Sequence, residues 1–219
     1  MQYYRHHWYY TGAILFVALA YLTGFWGSSL EPIPVILIYS FMALLVHQCE
    51  EYAHPGGFPA IFNIAVLGEK EVPERYPLNA NQALVINVFL AYPFYVSAIF
   101  LPGVIWLGLA QVLFGMFQII LHGIVINLRL KSLYNPGLAS VVFLHIPIGI
   151  YYIWYVTTNG LASRSDFVIG LLVTIFAALV IIFLPLRFMA SKDSKYPFLE
   201  REMGGFAKEK VAKIRMSSR

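Results

Sequence analysis

The chain has 219 residues, of which 59% are hydrophobic, 16% aromatic and 12% charged, with a net charge of +4. Globular domains carry about 25% charged residues, so this composition excludes a water-soluble domain and points to one membrane domain of several spans of about 20 residues. The single cysteine, Cys49, closes no internal disulfide and is too few for a thiol-rich zinc site.

Six apolar runs follow one another, at residues 8–26, 32–54, 79–101, 103–130, 138–157 and 167–188, each bounded by charges, Pro/Gly clusters or aromatic residues suited to a membrane interface. They predict an all-α bundle of six transmembrane helices over residues 1–190, followed by a basic tail, 191–219. The first run admits a second reading as a cleavable signal sequence, because Arg5, His6 and His7 precede it and Ala18-Leu-Ala20 lies within it. Trp8-Tyr9-Tyr10 and Trp26 favour interface anchors on a retained helix. The fourth run would extend about 42 Å as a helix, so it must tilt or project beyond a hydrocarbon layer of about 30 Å.

With six spans, the N-terminus, the 55–78 connection, the 131–137 connection and the tail share one side. Those segments with their flanks hold 14 of the 15 Lys and Arg residues, and only Arg164 lies opposite. The positive-inside rule therefore puts both termini in the cytoplasm, in a cell inner or plasma membrane. In the tail, Leu199, Met203, Phe206, Ala207, Lys210 and Ile214 recur at helical spacing, which predicts either an amphipathic helix lying on anionic lipid or a disordered basic segment that fixes orientation.

The second run ends in His47-Gln-Cys-Glu50-Glu51-Tyr-Ala-His54. On a helix these four ionisable side chains fall within an arc of roughly 100°, so two carboxylates and two imidazoles point the same way. A buried carboxylate costs about 2.5 kcal/mol or more at mid-bilayer unless something pairs with it. Asn87, His122 and His145 each lie about two turns from the same face of the membrane, so polar groups from four helices agree in depth. On the fourth run Gln111, Gln118, His122 and Arg129 form one stripe with Gly115 beside it, and Asn127 points away. On the fifth, His145 shares a face with Gly149 and Tyr152, and Pro147 leaves a carbonyl near His145 without its helical donor.

Imidazole and carboxylate are ligands for zinc, iron and manganese, and a water or substrate completes such a site. The candidate metal ligands are His47, Glu50, Glu51, His54, His122 and His145. Glu50 or Glu51 is the candidate general base, and Asn87, Gln118, Gln111 and Tyr152 are candidates for substrate contact or support. Each has a plainer reading. A lone membrane histidine commonly bonds between helices, the 47–54 cluster could be an ion-paired latch, and His54 could cap the helix C-terminus.

His47-Gln-Cys-Glu50-Glu51, the following Tyr52 and Phe58-Pro59, the Asn-rich start of the third run, His122 and Tyr134-Asn-Pro-Gly137 together resemble the HXXEE domain family of small multi-span membrane proteins. The resemblance extends over roughly residues 10–190. It implies the membrane bundle and a motif-defined site without naming an activity. A weaker chemical likeness goes to the CAAX-type glutamate intramembrane proteases, which also set paired Glu and several His on membrane helices. Here Pro55 stands where that family has Arg, and Asn127 follows His122 by five residues instead of four.

The expected function is a membrane-embedded, metal-dependent enzyme, using zinc or iron, that acts on a lipid, prenyl or other apolar substrate by hydrolysis or, with iron, oxidation. The alternative is a transporter or an ion- or proton-binding protein using the same groups. No inverted repeat of the transporter kind is visible. Nucleic acid is not an expected partner, since the chain carries no reader motif.

Overall fold

The computed structural model describes residues 2–216, and among these the regular structure is entirely helical. Six helices are long and apolar enough to cross a membrane: α1 (Trp8–Ser29), α2 (Pro32–Tyr52), α3 (Ala80–Phe100), α4 (Ile105–Leu130), α5 (Leu138–Thr158) and α6 (Arg164–Phe188). A last helix, α7 (Lys208–Met216), lies in the tail. Elements begin where side chains can serve free amides. Asn79 starts α3 with a reciprocal cap to Gln82, and Ser163 starts α6 with the same arrangement to Asp166.

α2 is the central helix. Its apolar window is 61% buried within the protein, against 11% for α1 and 22% for α6, so α1 and α6 turn most of their surface outward. Leu172, Ile175, Phe176 and Phe183 are exposed on α6, as expected where hydrocarbon is the solvent. The core has three parts. Phe41, Leu45, Tyr95, Phe114 and Ile181 fill the middle, while Leu37, Ile105, Leu109, Tyr152 and Val156 fill the end away from the termini. At the end that holds both termini, residues from the start, the 53–79 connection and the tail pack together, among them Trp8, Tyr52, Phe58, Leu78, Ile126, Phe198 and Val211.

The 53–79 connection folds inward as short helices Phe58–Ala60 and Ile61–Val66. Buried Asn63 holds it closed: its side chain donates to the carbonyls of Pro73 and Leu78, both at 2.7 Å, and accepts from the Leu78 amide at 3.0 Å. The tail lies across this end. The Phe198 amide donates to the Glu74 carbonyl, the Tyr196 carbonyl accepts from the Ala80 amide, and His6 pairs with buried Glu202 at 2.9 Å. The spacing that predicted one amphipathic helix from Leu199 to Ile214 is interrupted at 204–207, between the helices Glu200–Met203 and α7, and Ala207, Val211 and Ile214 pack against the bundle's own end.

Four of the spanning helices are locally wound with i→i+5 bonds, over Val85–Leu90, Ile120–Ile126, Val141–His145 and Leu179–Phe183. In three of them a proline explains it. Pro93, Pro147 and Pro185 each lack an N–H and crowd the carbonyl four residues back, and that carbonyl, of residue 89, 143 or 181, lies inside the widened turn. The amides of Ala91, Ile146 and Leu184 instead reach back five residues, to the carbonyls of Ile86, Val141 and Leu179. α4 has no proline in its widened turn, which contains Gly123 and His122.

Candidate metal centre

His47 and Glu51 sit one turn apart near the end of α2, and His122 faces them from the widened turn of α4. One ligand atom from each of the three lies within 4.8 Å of the others, and all three residues are buried. The Glu51 carboxylate is 3.3 Å from His122 Nε2 and 3.7 Å from His47 Nε2. The two imidazoles meet edge to face with centroids 4.8 Å apart, and the His145 ring stands 5.7 Å from that of His47.

The far nitrogen of each ring is fixed. His122 Nδ1 donates to Asn135 Oδ1 at 2.8 Å; that oxygen must be the acceptor, because Asn135 Nδ2 already donates to the His122 carbonyl and to Asn127 Oδ1. His47 Nδ1 faces the Gly137 carbonyl at 3.1 Å and Ser140 Oγ at 2.9 Å. A carbonyl only accepts, so Nδ1 carries the hydrogen and Nε2 presents a lone pair toward Glu51. The same tautomer at His122 brings its Nε2 lone pair toward the Glu51 oxygen, and that nitrogen has no hydrogen-bond partner among the described residues. Acceptors thus converge with no donor between them, an arrangement that a cation relieves. Metal-bound histidines characteristically tie the second ring nitrogen to a carbonyl or carboxamide in this way.

Backbone without side chains makes room for the rings. Gly137, at φ +104°, lies against both His122 and His47, and a Cβ there would overlap the His122 ring and come within 2.9 Å of His47 Cε1. Gly115 of α4 is the seat of the His145 ring; a Cβ there would meet its Nδ1 and lie 2.9 Å from Cε1. His145 Nε2 is also buried without a partner among the described residues.

Glu50 points elsewhere. Its carboxylate accepts from Tyr134 Oη at 2.8 Å and the Ala139 amide at 3.0 Å on one oxygen, and from the Ser140 amide at 2.9 Å and Ser140 Oγ at 2.7 Å on the other. It therefore caps the start of α5, where amides lack helical partners. Burial, with the hydrogen bond and charge of Glu50, holds the Tyr134 phenol well above the usual tyrosine range, so Tyr134 stays a donor. His54 lies beyond the end of α2 at Tyr52 and is exposed, which separates it from the other three members of the 47–54 run.

The remaining candidates divide by their depth along the helices. Asn87 and Gln118 border a cavity of about 80 Å³ that also touches His47, Glu51 and Tyr52 and whose remaining wall is aliphatic and aromatic, Phe58, Phe62, Phe114 and Leu186 among it. Gln111 turns to α2 as His122 does, yet it lies about 16 Å farther along α4, where its amide donates to the Leu37 carbonyl in the distal core, and Arg129 at the other end of the stripe is exposed. Tyr152 packs its ring against Gly108 and donates to the Ile105 carbonyl at 3.4 Å, two turns beyond His145. Asn135, Gly137 and Ser140 entered the sequence reading at most as parts of a family motif. Their signal is the Asn-Pro-Gly turn facing the start of the motif from the next connection.

The fold and this group of side chains define an all-helical membrane protein with a buried His/Glu cluster at the end of the bundle that holds both termini. The chain belongs to the HXXEE family: the family model, described as a protein of unknown function with HXXEE motif, matches residues 38–152. That stretch takes in every side chain of the cluster and its hydrogen-bonded supports, and leaves out α1, α6 and the tail. No curated protein and no solved structure matches the chain.

Proposed function

We propose that the protein is a metal-dependent membrane enzyme in which His47, Glu51 and His122 bind a divalent ion, zinc or iron, and activate water for hydrolysis of an apolar substrate. The observation that carries this reading is the convergence of the Glu51 carboxylate with the Nε2 atoms of His47 and His122, each ring held from behind. Two imidazoles and one carboxylate are the ligand set of hydrolytic zinc centres that keep a position open for water, and also of non-haem iron oxygenases. An ion there lowers the pKa of bound water toward neutrality. The adjoining cavity has room for a water and the reacting end of a substrate, and its aromatic and aliphatic walls suit a lipid, prenyl or other hydrocarbon chain. By the distribution of Lys and Arg the site faces the cytoplasm, so a substrate enters from the inner leaflet.

Elemental analysis of purified protein, with zinc titration, tests this. About one equivalent of zinc or iron in the wild type, lost in Glu51→Gln and in His122→Ala while helical content persists, is the expected result. Iron in place of zinc would turn the reaction to oxidation. A folded wild type that takes up neither ion at any pH from 6 to 9 would overturn the reading in favour of a proton- or ion-handling membrane protein. A long-chain alkyl hydroxamate should bind the zinc-loaded protein at least tenfold more tightly than acetohydroxamate, since only the former fills an apolar cavity beside an open coordination position.

A further inference from the structure

The two adjacent acids of the motif are spent differently, and the one that does not reach the cluster governs it from behind. We infer that Glu50 is a positioning residue: through Ser140 it fixes the His47 imidazole, so that α5 and the metal-binding end of α2 are locked in one register.

Four donors from one segment converge on the Glu50 carboxylate, two from backbone amides at the start of α5, one from Ser140 Oγ and one from Tyr134. Those four bonds use the acceptor directions of both oxygens, which leaves Glu50 no direction free for water or substrate. Ser140 is the link. Its hydroxyl donates to Glu50 at 2.7 Å and accepts from His47 Nδ1 at 2.9 Å, which makes a continuous chain from carboxylate to hydroxyl to imidazole. The Gly137 carbonyl, the second acceptor for His47 Nδ1, belongs to the same anchored turn. A carboxylate standing behind a metal-bound imidazole orients the ring and strengthens it as a donor; here the carboxylate acts through one intervening hydroxyl. The neighbouring acid therefore supplies the ligand, and Glu50 supplies the geometry in which His47 can act as one.

This inference rests on the metal reading, and two measurements separate the two. Zinc affinity of the full chain in detergent is compared for wild type, Ser140→Ala, Ser140→Thr and Glu50→Gln. The expected result is a loss of 10- to 100-fold in Ser140→Ala and Glu50→Gln, with partial recovery in Ser140→Thr, which keeps the hydroxyl. Wild-type affinity in Ser140→Ala would overturn the relay while leaving the metal reading in place. The second measurement needs no metal: imidazole ¹⁵N spectra of histidine-labelled protein, with the His47 signal assigned through His47→Gln. The expected result is a single Nδ1-protonated tautomer for wild-type His47 and a tautomer mixture in Glu50→Gln. An unchanged His47 signal in Glu50→Gln overturns the inference whatever the protein binds, whereas the expected spectral change in a protein that takes up no metal would overturn the proposed function alone.

Discussion

His47, Glu51, His122 and His145 could be picked from the sequence because ionisable groups in apolar runs are costly, and these four sit at one depth on three helices. Their supports were harder to see. Asn135 and Ser140 are ordinary turn and helix-start residues by type, and what distinguishes them is the nitrogen they hold, which depends on how α4 and α5 approach α2. Glu50 and Glu51 are equivalent by spacing, and only the position of the α5 start separates a cap from a ligand. Asn135→Ala should show how much the support matters. It strips His122 Nδ1 of its acceptor and removes two further hydrogen bonds from a fully buried site, at a cost of about 1–3 kcal/mol and a zinc affinity lowered at least tenfold, read by detergent-phase unfolding and by titration. Gly115→Ala should instead push the His145 ring from its seat, with about 1–3 kcal/mol of overpacking. If zinc affinity is unchanged in that variant, His145 takes no part in the ion's environment.

The spans predicted at 32–54, 79–101 and 103–130 compare with Pro32–Tyr52, Ala80–Phe100 and Ile105–Leu130. Such agreement reflects the few residue types that end a membrane helix, here Pro, Gly, Asn and charge. Within the spans, a constant 100° per residue sets Gln111 and His122 on one face, and both turn to α2, Gln111 at the Leu37 carbonyl and His122 at Glu51; what that spacing does not describe is the widened turns. Pro93, Pro147 and Pro185 are the legible sign of such turns. Pro147→Ala would supply the missing N–H to the Phe143 carbonyl and favour regular winding, after which Ser140 and His145 cannot both keep their places. We expect an unfolding temperature at or above that of the wild type together with zinc binding at least tenfold weaker. Unaltered binding would show that packing, not the proline, maintains the turn.

Membrane embedding follows from composition, and the all-helical bundle with it, whereas the inward fold of residues 53–79 and the tail laid across them depend on long-range pairing that no local pattern reveals. Phe198 shows the size of that contribution: it is buried among Tyr52 and the terminal cluster, so Phe198→Ala should cost about 3–5 kcal/mol, measurable as a lowered unfolding temperature in detergent. Orientation is testable in a Cys49→Ser background. Asn159→Cys should react with a membrane-impermeant maleimide on intact cells, and Ser132→Cys only after permeabilisation; the opposite pattern would turn the site to the outside. Trp8 and Val211 belong to one packed cluster although about two hundred residues of chain separate them. During synthesis Trp8 can therefore meet Tyr52 as soon as the second helix is made, whereas the cluster they share closes only once Phe198 and Val211 have left the ribosome.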